Sequence, residues 1–408
     1  MADHASPTTT TEDFLGRLTD AHCHASDAFE GADPGRAAGA IGGLATGKVC
    51  VMSSSLESQA RTADLAGRRP AKVVPAFGLH PWFVGAVSLA RAEPIDKRTH
   101  YRAVLCTKHA PLCSPPTPGD RREDEEALER WLDGHLPLLP TPIPLAGFLA
   151  ELRVRLAQVP GSMVGEIGLD KASTVRIQSG SEGGTGASRY KVAIAHQLAV
   201  VRAQIDLAVE LGRPVSLHCV QASNEILGLV DALVARWGRR FTGLDPSPST
   251  TSSPGRAGQL DPSTPRGINV CWHSPSLSVD VLRQIQRKLP QTAYFSFSSH
   301  LAILHRPRAL PGDAAHSPHE TPALLDGQYS PRALRAIQAT PIDRLLLETD
   351  HAADPSMIDE KMRTIFRVVQ IARASAPSGL GLPSLDPADS NSLAAQIEAN
   401  WNRFYKGA

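Results

Sequence analysis

What this 408-residue chain lacks narrows its class first. It has no uninterrupted apolar run of about 18 residues, the length a membrane-crossing helix needs, so no transmembrane segment and no membrane partner are expected. Residues 1–12 are polar and rich in threonine, without the apolar stretch that opens a secretion signal, and none is expected. Charge of one sign is not in excess either: 42 Lys and Arg against 41 Asp and Glu leave a net +1. A global pull toward nucleic acid or an anionic surface is thereby excluded, and a nucleic-acid ligand would need a local patch. No two of the six cysteines (Cys23, Cys50, Cys106, Cys113, Cys219 and Cys271) form a C-x-x-C pair, and a chain this long needs no disulfide staples. Four of them lie in apolar runs, where a thiol behaves as a small hydrophobe, so a reducing compartment, cytoplasm or nucleus, is expected. There is no internal repeat and no sharp break in composition, so a single domain is expected.

What is present is a chain 42% hydrophobic and 20% charged, enough for a large core. Eight short, nearly continuous runs rich in Val, Ile and Leu read as strands buried on both faces: 18–24, 47–53, 72–80, 162–170, 213–219, 267–274, 291–298 and 343–350. Helical patterns fall between and around them at 56–68, 125–131, 144–158, 190–211, 224–237, 278–289, 331–339, 356–375 and 391–404. Strands alternating with helices indicate βαβ units and a parallel sheet. Eight units predict an α/β fold, a closed (β/α)8 TIM barrel of about 250 residues with the remainder as long loop insertions. The core is expected over about 18–405. By composition the insertions are 89–141, 171–188, 242–266, 305–328 and 377–389, expected as surface loops that largely follow strand ends.

Five of the runs end in acidic or imidazole groups: Leu18-Thr19-Asp20-Ala21-His22-Cys23-His24, Gly165-Glu166-Ile167-Gly168-Leu169-Asp170, Val215-Ser216-Leu217-His218, Val270-Cys271-Trp272-His273 and Leu345-Leu346-Leu347-Glu348-Thr349-Asp350. A parallel barrel exposes the C-terminal ends of its strands on one face, where enzymes of this fold place their chemistry. Strand alternation puts His22 and His24 on one side, Cys23 outward, and Asp20 one step deeper as an acceptor orienting an imidazole. Glu166 is costly to bury unless paired or metal-bound, and a carboxylate bridging two cations is the role assigned to it. His218 and His273 occupy equivalent strand ends. Asp350 ends the last run with Glu348 deeper on its side, and reads as a metal ligand and as the base that takes a proton from water. His80, in Phe77-Gly78-Leu79-His80-Pro81-Trp82, reads as a group orienting substrate or a phosphate oxygen. His22, His24, Glu166, His218, His273 and Asp350 together make a ligand set for two divalent ions, Zn, Mg or Mn, and point to a metal-dependent hydrolase.

These residues resemble those of TatD-related metal-dependent deoxyribonucleases, a branch of the amidohydrolase superfamily. The resemblance rests on Asp20-Ala21-His22-Cys23-His24, Gly78-Leu79-His80-Pro81, Gly165-Glu166-Ile167-Gly168-Leu169-Asp170, the block from Gln197 through Gln204 to Arg213-Pro214-Val215-Ser216-Leu217-His218-Cys219, and Leu347-Glu348-Thr349-Asp350. Asn400-Trp401-Asn402-Arg403-Phe404-Tyr405 is similar to the family's last helix. The chain departs from the family in length, in Ser274-Pro275-Ser276-Leu277, which lacks a common glycine, and in His351-Ala352-Ala353-Asp354-Pro355. The resemblance implies cleavage of DNA or another phosphodiester by water activated between two metal ions. His22, His24, Glu166 and Asp350 would hold one ion, and Glu166, His218 and His273 the other. Long, insertion-rich members look like fungal TatD-like proteins, some named as partners of a helical-repeat cell-cycle protein, which implies a scaffold role as well. An amidohydrolase acting on a small molecule is the other chemical reading. Many such enzymes bridge their metals with a carboxylated lysine on the fourth strand. Here that strand offers Glu166, and Lys171 follows it.

Overall fold

Eight parallel strands lie side by side in the order in which the chain makes them: β1 (Thr19–Cys23), β2 (Lys48–Met52), β3 (Val73–Phe77), β4 (Met163–Asp170), β5 (Val215–Val220), β6 (Val270–His273), β7 (Ala293–Ser298) and β8 (Leu345–Glu348). Each falls on one of the eight expected apolar runs, β5 ending one residue beyond its run. They are nearly all buried on both faces, as a sheet wrapped by helices requires. The computed structural model describes residues 13–27, 34–90, 94–107, 118–178, 185–243, 267–302, 329–352, 354–375 and 389–406. Among them no helix is long and apolar enough to cross a membrane.

The first and last strands meet without a regular ladder, and their seam is closed by individual bonds. The Asp350 N–H donates to His22 O at 2.9 Å and the His24 N–H to His351 O at 2.8 Å. Between these strands the buried Asp20 carboxylate accepts from the Thr349 N–H at 2.9 Å, the Thr349 hydroxyl at 2.6 Å and the His22 N–H at 3.2 Å. The expectation that Asp20 orients an imidazole is therefore corrected. Asp20 faces Val49 while Cys23 faces Val51, so β1 carries one extra residue between them. That bulge breaks the alternation and turns Ala21 into the barrel interior. Cys23 does point outward, into the layer between barrel and helices.

Two apolar layers hold the barrel. A large one fills the space between strands and surrounding helices. A smaller one fills the interior, where Cys50, Met52, Val74, Ala76, Met163, Cys271, Tyr294 and Leu346 meet Trp401 and Phe404 from the helix Ser390–Lys406. Leu393, Ala394, Ile397, Asn400, Trp401 and Phe404 recur at three- and four-residue spacing and form its buried face. The Asn269 amide donates to Arg403 O and Phe404 O at 3.0 and 2.8 Å, and the Asn400 amide to Ile342 O and Leu345 O at 2.6 and 2.7 Å. Tyr405 donates to Gly161 O at 2.7 Å. All these partners lie at the N-terminal ends of strands, so this helix stops the bottom of the barrel and leaves the opposite end for chemistry.

The insertion 89–141 is more structured than a surface loop. It holds the helices Lys97–Val104 and Pro118–His135, the first capped by Asp96, and it buries Tyr101, Val104, Leu128, Leu132 and Leu139. The second contains the helical pattern expected at 125–131, and the first was not expected, its apolar positions being diluted by proline and charge. Leu105–Cys106 pairs antiparallel with Lys191–Val192, tying this insertion to the segment after β4. Within 171–188, Arg176–Gln178 and Thr185–Ala187 form an antiparallel pair. The insertions expected at 242–266, 305–328 and 377–389 lie, apart from their end residues, outside the described residues. The helix Pro34–Gly42, which buries Ala37, Ala38 and Ile41, had no counterpart among the expected helices.

The seam yields a stability test. Asp20→Ala strands three buried donors and should lower the unfolding free energy by about 3 kcal/mol in urea titrations. Asp20→Asn keeps an acceptor and should lose less. Wild-type stability in the alanine variant would show that the backbone bonds alone close the barrel.

Candidate metal centre

His22 and His24, two residues apart at the end of β1, meet at one point, their Nε2 atoms 3.2 Å apart. Glu166, in the middle of β4, meets them with one oxygen: Oε2 lies 3.5 Å from His22 Nε2 and 3.1 Å from His24 Nε2. Its other oxygen faces a second group. Oε1 lies 2.7 Å from His273 Nε2, 2.8 Å from His218 Nδ1 and 3.2 Å from His80 Nε2. Asp350 Oδ1 approaches the first pair at 3.9 and 3.8 Å. All seven residues expected at the site, His80 included, are thus brought together at the C-terminal end of the barrel.

Local backbone chemistry places these groups. Gly168 has φ 154°, and a Cβ there would stand 2.1 Å from His218 O, so only glycine lets β4 and β5 approach at the height of the imidazole. Just past β5, β6 and β8, Gln221, Ser274 and Asp350 have φ of 54°, 38° and 51°, left-handed values uncommon for side chains of this kind. Such strain clusters at functional sites, where the surroundings hold it in place.

The imidazoles are also held from behind. His22 Nδ1 lies 2.9 Å from Ser216 Oγ, and His24 Nδ1 lies 3.1 Å from Ser54 Oγ and 3.5 Å from Asp27 Oδ2. His273 Nδ1 faces Glu348 Oε1 at 3.8 Å, and His218 Nε2 faces Asp170 Oδ2 at 3.6 Å. Glu348 lies deeper than Asp350, as alternation predicted, and accepts from the Ser274 N–H at 2.7 Å and from the Ser296 hydroxyl. His80 differs: its Nδ1 accepts the Trp82 N–H at 3.1 Å, so in the neutral ring Nε2 carries the proton and aims it at Glu166. Ser54, Ser216, Asp27 and Trp82 carry no motif of their own. Only Ser216, two residues before His218 on the same strand, had a spacing that could have singled it out.

Burial alone would raise the Glu166 carboxyl, yet His80, His273 and His22 hold it well below the usual range. Burial, aided by His273, lowers His22 to about 3, and burial lowers His80 to about 4, so both rings are neutral. His24 is driven the other way, to about 10, because Asp27 and Glu166 outweigh its burial. Burial also opposes a charge on His273, but Glu166 and Glu348 raise it well above its ordinary value.

The donor set fits divalent cations. Ligand-type atoms of His22, His24 and Asp350, of His22, Glu166 and His273, and of His80, Glu166 and His218 lie within 4.8 Å of one another in each group. The ring nitrogens of His218 and His273 come within 3.0 Å, as those of His22 and His24 do within 3.2 Å. A cation between such nitrogens takes up lone pairs that otherwise need shared protons. Mixed imidazole and carboxylate donors suit Zn, Mn or Mg.

Comparison with known proteins bears on the whole chain. The family profile described as TatD related DNase matches residues 19–406. The Cut9-interacting protein scn1 of Schizosaccharomyces pombe is 28% identical over 365 residues, covering 88% of this chain and 93% of its own. Among solved structures, an uncharacterized amidohydrolase from Saccharomyces cerevisiae shares the fold at 13% identity, with TM-score 0.53 over 95% of this chain and 99% of that one. YJJV, a TatD homolog from Escherichia coli K12, aligns at 16% identity with TM-score 0.49 over 96% and 99% of the two chains. With eight parallel strands, a ring of helices and a family match over nearly its full length, the chain belongs to the TatD related DNase family.

Proposed function

We propose that this hydrolase cleaves phosphodiester bonds, with DNA as the first candidate substrate, by water activated at a centre of two divalent ions. The observation that carries the reading is Glu166, one buried carboxylate whose two oxygens face two separate groups of imidazoles. His22, His24 and Asp350 would hold one ion and His218 and His273 the other, with Glu166 between them. Two such ions supply charge to neutralise the phosphate oxygens and to lower the pKa of water. Asp350, whose side chain is 26% exposed against 2% for Glu166, is the carboxylate that can reach that water and take its proton. His80, whose Nε2 faces Glu166 at 3.2 Å, would donate to a phosphate oxygen in this reading.

A small-molecule amidohydrolase bridging through a carboxylated lysine is less well supported. Glu166 would take the bridging role, and the Lys171 ammonium pairs with Glu225 at 3.0 Å. An added binding role is favoured by one observation: the relative scn1 is named for its interaction with Cut9. A helical-repeat protein is the partner proposed for that role. Action in the cytoplasm or nucleus belongs to the same reading, and the described cysteines Cys23, Cys50, Cys106, Cys219 and Cys271 are all free thiols.

Elemental analysis of protein reconstituted with Zn, Mn or Mg should find close to two ions per chain, and the double change His22→Ala with His24→Ala should abolish one. Absence of metal from both proteins would sink the centre. Asp350→Asn keeps size and removes the base, so hydrolysis of single-stranded DNA, duplex DNA or a chromogenic phosphodiester should fall by about 10²–10⁴ with an unchanged circular dichroism spectrum. An Asn variant that retains most activity would remove Asp350 from the mechanism. Wild-type protein that binds metal but cleaves no phosphodiester would favour the amidohydrolase or binding reading.

A further inference from the structure

The exposed arginines on the outside of the barrel are not all neutralised alike. On the helices Leu56–Arg68, Leu145–Gln158 and Ser223–Trp237 they meet carboxylates: Arg68 pairs with Asp64 at 2.7 Å, Arg153 with Glu210, and Arg236 with Asp206 at 3.2 Å. Three neighbouring helices differ. Val279–Lys288, Pro331–Ala339 and Ile358–Ala374 lie side by side, the middle one packed against both others. Together they carry nine Lys and Arg against three Asp and Glu, in a chain whose net charge is only +1.

Six of those cations are arginines on the solvent face: Arg283, Arg287, Arg332, Arg335, Arg363 and Arg367. Each helix turns two of them outward, three or four residues apart. Like charges at that spacing repel and destabilise a helix, and here the pattern recurs on three successive helices. The acidic residues among them do not relieve it. Asp280 and Glu360 stand in first turns, where they suit the positive end of a helix. Asp359, whose charge feels Arg363, accepts the Ala45 and Thr46 N–H groups at 2.7 and 2.8 Å. Among the described residues Arg283, Arg287, Arg335 and Arg367 have no carboxylate within ion-pair reach.

This face begins beside the metal centre. Barrel helices return the chain from the C-terminal end of one strand to the N-terminal end of the next, so all three start at the mouth. Arg332, the second residue of the middle helix, donates to Ser276 O. Ser276 follows His273 by three residues, and Ser274 between them donates its N–H to Glu348 at 2.7 Å. The guanidiniums therefore leave the rim next to the imidazoles and descend the outside of the barrel. A guanidinium is a planar fork that matches phosphate oxygens in pairs. One phosphodiester would fill the mouth and leave the arginines unused, whereas phosphates repeating along a strand would meet them in turn.

We propose that the outer faces of these three helices bind the phosphate backbone of a nucleic-acid strand that continues from the barrel mouth. The proposal deepens the phosphodiesterase reading and rests on it for its purpose: hydrolysis acts at the mouth while the flank holds the rest of the polymer.

The test combines Arg283→Ala, Arg287→Ala and Arg335→Ala. Alanine is a good helix former, and removing like charges should leave the melting temperature unchanged or slightly raised. Binding of a fluorescent single-stranded DNA of about 20 nucleotides is followed by anisotropy, with chelator present so that no cleavage follows. The triple variant should bind about 10–100-fold more weakly than wild type in about 0.1 M salt, and the slope of log K against log salt should fall by about 2, at about 0.7 per phosphate contact. A control variant, Arg68→Ala with Arg153→Ala and Arg236→Ala, removes the same charge from other helices and should bind like wild type. Equal weakening in both variants reduces the effect to net charge and overturns the proposal, as does wild-type binding in the triple variant. Displacement of the DNA by polyglutamate of equal charge would mark the face as a dock for an acidic protein and overturn the nucleic-acid assignment. Hydrolysis of a chromogenic phosphodiester by wild type keeps the two readings apart. A wild type that cleaves nothing, with DNA binding lost in the triple variant alone, sinks the hydrolase and supports the strand surface. Cleavage of the diester, with DNA binding untouched by the triple variant, does the opposite.

Discussion

A carboxylate at the middle of a barrel strand has nowhere to put its charge unless other groups come to it. Glu166 is 2% exposed, and desolvation on that scale costs several kcal/mol for an isolated ion. Five imidazoles answer it, from the end of β1, the segment after β3, and the ends of β5 and β6. Each must arrive at the right height for the charge to be tolerated. The requirement explains why β4 needs Gly168 where it passes β5. Removing this one charge would leave a crowd of buried nitrogens facing each other with no anion among them.

The rings are in turn oriented by what lies behind them. Serine hydroxyls stand behind the β1 pair and carboxylates behind His218 and His273. A ligand whose far nitrogen is held presents its near nitrogen in one direction. The left-handed residues Ser274 and Asp350 serve the same end. The Ser274 N–H reaches Glu348, and the Asp350 N–H reaches His22 O, so the strained turns are themselves pinned by the site they shape.

Much of this was legible in the sequence. Strands buried on both faces are continuous apolar runs, so a histidine or carboxylate within one stands out, and β1 to β8 and their charged ends could be read directly. The helix 56–68 was read at its observed bounds, with Ser55 capping its start. What escaped has physical causes. A bulge is a register event between two strands and leaves no mark in one of them, so alternation misassigned Asp20. Ser54, Ser216 and Trp82 are ordinary residue types whose roles exist only once distant strands are adjacent. In the insertion 89–141, the helix read at 125–131 runs over Pro118–His135, and Lys97–Val104 was not read at all, because proline and charge dilute the apolar spacing around them.

The contact between Asp20 and Thr349 joins residues 329 apart in sequence. During synthesis at about 5–20 residues per second, β1 leaves the ribosome tens of seconds before its partner β8 exists. Over that interval the paired histidines are already made while their carboxylate neighbour Asp350 is not, and both edges of the growing sheet are open. A cylinder that closes only with its last strand cannot complete its centre by halves, because His22, His24 and Asp350 meet only once β8 has joined β1.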